Sequence, residues 1–177
     1  MIGEVLVFFG QYGIFFIILI SLINFRREAR TLIALGLSLA VSYLLGAFFY
    51  SPRPFVSGHF QPLIPHAPNN GFPSHHAAAG LAMSFSTLNT NTVLGAISFI
   101  FSVLMVIGRV YAGIHSKTDV IAGIIIGGLC AIFAYSDFMS RKLNFLKNKI
   151  QYYWKKKAAH KVVSRDFKKR GKKPKGS

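Results

Sequence analysis

Long apolar runs separated by short polar breaks dominate the chain. Val5 to Phe25 and Thr31 to Tyr50 are each close to the ~20 residues that cross a bilayer as a helix. Pro73-Ser74 opens a third run that reaches about Leu88, and the polar Asn89-Thr90-Asn91 turn leads into a fourth, Thr92 to Ile107. A fifth extends from Asp119 to about Ala134, with Gly123, Gly127 and Gly128 suited to close helix packing in lipid. The third and fourth are short, and are expected to span by extending into their flanks or by lying in the protected interior of the bundle. The pattern therefore predicts an all-α, polytopic transmembrane bundle of about five spans. The first run follows Met1-Ile2-Gly3-Glu4 with no basic region and no small-residue cleavage site, so it reads as a retained span. Between the second and third runs, Ser51 to Phe72 holds five prolines and Asn69-Asn70-Gly71, which exclude regular helix. Phe55, Phe60, Leu63 and Ile64 within it are expected to dip into the bilayer interface.

Charge fixes the orientation. The net charge is +16 over 177 residues, yet 15 of the 21 Lys and Arg lie at or after Arg141. The chain thus divides into a nearly neutral membrane domain, residues 1–140, and a basic tail, 141–177. Arg26, Arg27 and Arg30 after the first span, together with the tail, place those segments in the cytoplasm by the positive-inside rule. The N-terminus is then outside, and the Pro-rich loop, the start of the third run and the turn before the fifth share the outer surface. That topology gathers Arg53, Ser74, His75, His76, Arg109, His115 and Asp119 on one side. In the tail, Leu143, Leu146, Ile150, Tyr153 and Trp154 recur at near-helical spacing among lysines, as in an amphipathic helix on an anionic inner leaflet. Lys168 to Lys173 is expected to be disordered. No folded recognition module accompanies these lysines, so a nucleic-acid partner is not expected. The single cysteine, Cys130, sits in an apolar run and indicates neither a disulfide nor a thiolate site.

Candidate chemistry concentrates between Gly108 and Asp119. With a helix beginning at about Ser116, His115 lies at its mouth and Asp119 one turn on, where a carboxylate can hold an imidazole N–H and leave the other ring nitrogen as nucleophile or base. Arg109 can offer a guanidinium fork to an anion. Two plainer readings stay open. Ser116-x-x-Asp119 is also a capping box, and Arg109 and Lys117 also suit the membrane edge as plain charges.

The outward segments contain Arg53-Pro54, then Pro73-Ser74-His75-His76, then Arg109, His115 and Asp119 with five and three residues between them. This three-part pattern resembles the type 2 phosphatidic acid phosphatase superfamily of membrane lipid phosphatases. The stretches Arg53 to Val56, Leu63 to His66 and Phe72 to Ala77 are similar to its bacterial undecaprenyl pyrophosphate phosphatases. The resemblance implies that His115 attacks phosphorus to give a phosphohistidine, that Asp119 orients it, and that His76 is the general acid and then the base. It implies further that Arg53, Arg109, Ser74 and His75 lie on the phosphate side, with no metal and no cofactor. Undecaprenyl pyrophosphate is the first expected substrate, with lipid A 1-phosphate and phosphatidylglycerol phosphate as alternatives, in a cytoplasmic membrane with the site facing the periplasm or the outside. A lipid-to-lipid phosphotransferase uses the same intermediate, and a non-enzymatic lipid carrier or scaffold is the alternative of another class. Three positions depart from the pattern: Gly46 stands where a Lys is common, Gly108 where a Ser is common, and His75 where an Asp is frequent.

Overall fold

In a computed structural model of the chain, residues 1–23 and 29–170 are described. Arg26 and Arg27, on which part of the orientation rests, and the basic residues from Lys172 onward lie outside them. Among the described residues seven helices follow one another: α1 (Ile2–Ile23), α2 (Ala29–Phe48), the single turn α3 (Pro54–Ser57), α4 (His75–Leu88), α5 (Thr92–Tyr111), α6 (Lys117–Tyr135) and α7 (Asp137–Arg170). Residues 1–136 form one compact unit, and α7 belongs to a second.

α1, α2 from Arg30 on, α5 and α6 are long and apolar enough to cross a membrane. The third of the five expected runs is different. α4 has 14 residues, about 21 Å of helix against a hydrocarbon core of about 30 Å. It is instead the centre of the bundle, buried on nearly every face from Ala77 to Met83, with α2, α5 and α6 packed around it and α1 alongside. Small residues make this possible. A Cβ at Gly123 or Gly127 of α6 would run into the α4 carbonyls of Ser74 and Ala78, so these two glycines set the α4–α6 approach, whereas Gly128 has only a Phe85 ring at 3.7 Å. Ser84 bonds both Ser98 and Ser102 at 2.8 Å, a polar tie between α4 and α5 in an apolar interior. On the outer face Phe15, Leu19, Leu44, Ile100, Leu129 and Ile132 are exposed, as lipid-facing side chains are.

α1 packs chiefly on α5, and α2 on α4 and α6. The α1–α5 crossing is tightest where Gly10 meets Gly108. The loop after α2 is strapped to the α5–α6 turn by Phe55 N–H to Gly113 O at 3.1 Å and Leu63 N–H to Ala112 O at 3.1 Å. Of the four apolar loop residues expected at the interface, Phe60 and Leu63 are exposed, while Ile64 is buried against Ala112 and Ile114 and Phe55 packs on the same cluster. The strap pulls those two inward. Gly113 has φ +75°, which favours glycine, and the Phe60 ring fills the place of its missing side chain. In the second unit, α7 is one 34-residue helix whose Phe145, Leu146, Ile150, Tyr153 and Trp154 are exposed among basic residues. In place of the expected disorder, helix continues through Lys168 to Arg170, and the remainder of that stretch lies outside the described residues.

Candidate active site

Three segments converge because backbone bonds hold them. Ser74 N–H donates to Asp119 O at 3.0 Å, joining the starts of α4 and α6, and Gly71 N–H donates to Ser51 O at 2.8 Å, closing the loop after α2. Asn70 completes the closure. Its Nδ2 reaches the α2 carbonyl of Gly46 and the Phe49 carbonyl just beyond, each at 2.8 Å, and its Oδ1 accepts from Ser51 N and Phe72 N at 2.9 and 3.0 Å. One amide thus caps the end of α2 and fixes the approach to α4.

His115 occupies the turn between α5 and α6 and is 3% exposed. Its Nδ1 lies 3.0 Å from Gly71 O. A carbonyl only accepts, so Nδ1 carries the proton and Nε2 keeps its lone pair, facing Arg53 Nη1 at 3.3 Å. The closest partner of Nδ1 is therefore a backbone carbonyl, with the expected Asp119 carboxylate beside the same nitrogen. Asp119 Oδ2 is 3.8 Å from Nδ1, an ion-pair separation beyond hydrogen-bond range. The carboxylate is held off because it also caps α6, where Oδ2 accepts from Ser116 N at 2.7 Å while Ser116 Oγ accepts from Asp119 N at 3.2 Å. The capping-box reading and the histidine-partner reading thus describe the same buried carboxylate. Burial pulls the His115 imidazolium down to about 4; Asp119 opposes this, and Arg109 and Arg53 add to it. A neutral imidazole is what a nucleophile requires.

Arg53, 5% exposed, has all three guanidinium nitrogens engaged: Nε with Asn69 Oδ1 at 2.9 Å, Nη1 with Ile114 O at 2.7 Å and Nη2 with Asn70 O at 3.2 Å. Burial lowers its pKa, and Asp119 partly offsets that. Arg109, 4% exposed, is anchored by Nη1 to Gly10 O of α1 at 3.1 Å. Both arginines reach a cavity of about 440 Å³ together with His66, His75, His76 and His115. The other end of this cavity is apolar, with Ile14 and Ile18 from α1, Leu35 and Leu39 from α2 and Met83 from α4. A polar head and an apolar trough suit an amphiphile bearing an anionic group.

Of the seven residues expected at the site, Arg53, His75, His76, Arg109 and His115 line this cavity, while Ser74 and Asp119 stand behind its wall, fully buried. The Ser74 hydroxyl accepts from Ala77 N as the α4 N-cap, so it presents the helix start carrying His75 and His76. His75 packs on Tyr43 with ring centroids 4.3 Å apart and the rings tilted by 36°. Sequence reasoning missed the Gly71 and Gly10 carbonyls, Asn69, Asn70 and His66. The Asn69-Asn70-Gly71 turn signal marked the place, but its partners lie on other elements. The glycine departures also gain a cause. A Cβ at Gly108 would fall 2.6 Å from Gly10 N, so α1 leaves no room for a serine, whereas at Gly46 the nearest obstacle is Phe72 O at 3.0 Å.

The model of the PAP2 superfamily matches residues 27–142. The chain is 28% identical over 148 residues to undecaprenyl-diphosphatase BcrC of Bacillus subtilis, covering 78% of this chain and 77% of that one. Its fold matches the crystal structure of Aquifex aeolicus LpxE with a TM-score of 0.60 at 28% identity, over 75% of this chain and 82% of that one. The PAP2-type phosphatidylglycerolphosphate phosphatase of Bacillus subtilis shares the fold with a TM-score of 0.56 at 22% identity, over 75% and 74%. With the spans, the cavity and the family match in agreement, the chain belongs to the PAP2 superfamily and is a multi-pass membrane phosphatase that hydrolyses lipid phosphates.

Proposed function

We propose that the enzyme removes the terminal phosphate of undecaprenyl pyrophosphate through a phosphohistidine on His115. The observation that carries this reading is the His115 imidazole, tied through Nδ1 to Gly71 O and accepting at Nε2 from Arg53 Nη1, which passes to a phosphate oxygen as Nε2 attacks, in a cavity shared with Arg109 and His76. Similarity to BcrC favours the diphosphate lipid. In the first half-reaction Nε2 forms a bond to phosphorus as the bond to the bridging oxygen breaks, and the His76 imidazolium gives its proton to the departing lipid phosphate. In the second, water loses a proton to His76, its oxygen bonds to phosphorus, and the N–P bond breaks, restoring neutral His115. Arg53 and Arg109 carry the charge of the phosphoryl oxygens, and the N–H groups at the start of α4 add to it. Asp119, beside Nδ1, stabilises the imidazolium that forms. The isoprenoid chain leaves along the apolar trough toward lipid.

Lipid A 1-phosphate and phosphatidylglycerol phosphate are the alternative substrates for the same chemistry. The site faces the periplasm or outside of a cytoplasmic membrane, and the C-terminus faces the cytoplasm, where the tail from Arg141 onward rests on anionic lipid through its basic residues and exposed Trp154. The deciding assay is phosphate release from undecaprenyl pyrophosphate in detergent with excess EDTA, comparing the native chain with His115→Asn. Release that persists in EDTA and disappears in the variant supports the reading. Equal release from both, or none from this lipid, lipid A and phosphatidylglycerol phosphate, overturns it and leaves the carrier or scaffold in its place.

A further inference from the structure

His66 lines the same cavity, but the fold makes little use of it. Arg53 braces two loops, Arg109 ties α5 to α1, and His115 is fixed by Gly71, whereas the hydrogen bond of His66 runs from Nδ1 to the carbonyl of the next residue, Ala67, at 3.2 Å. That bond places the ring proton on Nδ1 and leaves Nε2 available. The residue is nevertheless held in place. Ile64, two positions earlier, is buried against Ala112 and Ile114, Leu63 is strapped to Ala112, and Pro65 and Pro68 stiffen the backbone on either side. The result is a half-buried imidazole whose centroid is 6.4 Å from that of His115, the rings inclined at 73°. Arg53 and Arg109 are close enough to lower its affinity for a proton, after the larger effect of burial and against the opposing bond to Ala67. His76 faces the same group.

We propose that His66 is a phosphate-binding side chain of this active site, contacting an oxygen of the phosphoryl group as it passes to and from His115. A phosphoryl group on His115 Nε2 has its oxygens within reach of a ring this close, and it lies where the two arginines already concentrate positive charge. An arriving phosphate offsets the repulsion those arginines exert on a His66 proton, so the imidazole meets the anion as a charged donor. The residue also answers a deficit. Gly46 and Gly108 carry no side chain where the superfamily pattern has a Lys and a Ser, and α1 leaves no space at Gly108 for a donor to return.

This inference rests on the phosphatase reading of the site, and the test keeps the two apart. The full-length protein in detergent is compared as wild type, His66→Ala and His66→Gln, measuring kcat and KM on the lipid diphosphate and the binding of inorganic phosphate by calorimetry. For His66→Ala, KM and the phosphate Kd both rise about tenfold or more, as for loss of one hydrogen bond to a charged group, while kcat falls less than about threefold. His66→Gln, with an amide N–H near the place of Nε2, recovers most of the loss. Unchanged KM and phosphate Kd in His66→Ala, or a Gln variant no better than Ala, overturns the proposal. A wild type that releases no phosphate from lipid overturns the phosphatase reading instead, and phosphate binding by the three proteins still decides the role of His66.

Discussion

Gly108→Ser restores the residue common in the superfamily, and motif reasoning alone expects it to return a phosphate donor and raise activity. The packing predicts the reverse. A Cβ at this position would lie 2.6 Å from Gly10 N and 2.8 Å from Gly10 Cα, with Leu6 O closer still, whereas ordinary contact begins near 3.4 Å. All three obstacles are backbone, so no rotamer relieves them, and α1 has to retreat by about 1 Å. Overpacking of this kind costs about 1–3 kcal/mol, here at the upper end because two helix backbones collide. The cost reaches the chemistry through the next residue. Arg109 is anchored on Gly10 O at 3.1 Å, so moving α1 moves its guanidinium, and a misplacement of about 1 Å is worth roughly a hundredfold in rate. The assay is thermal unfolding in detergent alongside kcat on the lipid diphosphate, with Gly108→Ala as the control lacking a hydroxyl. Both variants melt several degrees lower and lose about a hundredfold in kcat. A serine variant that melts with the wild type and turns over as fast or faster would refute the reasoning.

Asn70→Ala removes four hydrogen bonds that close the loop onto α2, and is expected to cost about 2–3 kcal/mol and to lower kcat by loosening the Gly71 carbonyl that orients His115; unchanged melting and rate would show the amide to be dispensable. Because burial pulls the His115 imidazolium down to about 4, the nucleophile stays neutral through pH 5–8 and the acid limb of kcat/KM falls near pH 4. Burial, with Arg109 next, holds His76 lower still, at about 3, until a bound phosphate dianion raises it, so loss of the His76 proton is read as the alkaline limb of kcat in the substrate complex. A profile flat to pH 9 would exclude the two-histidine scheme. The depression at His115 makes protonation unfavourable to the fold: stability is full above about pH 6.5 and declines as pH falls toward 4, by about 3 kcal/mol from this residue, and denaturant melts of wild type and His115→Asn across that range measure it.

The apolar runs made the membrane bundle legible, because a helix in lipid must be long and apolar whatever its neighbours are. The spaced Arg, His and Asp residues pointed to the chemistry for a similar reason, since the side chains that move phosphoryl groups are few. The sequence shows that the third run is short, but not whether it crosses by extending into its flanks or lies in the interior of the bundle. Only the helices packed around α4 show a buried core segment. Nor could the sequence show that the closest partner of the nucleophilic histidine is the Gly71 carbonyl, that Asn70 closes the site, or that His66 faces it. Backbone carbonyls have no signature in a sequence, and bonds spanning 19 to 44 residues depend on where the helices lead the chain. Gly108 shows the division most sharply: motif comparison records a missing hydroxyl, and the tertiary structure finds a helix backbone in the space that hydroxyl would need.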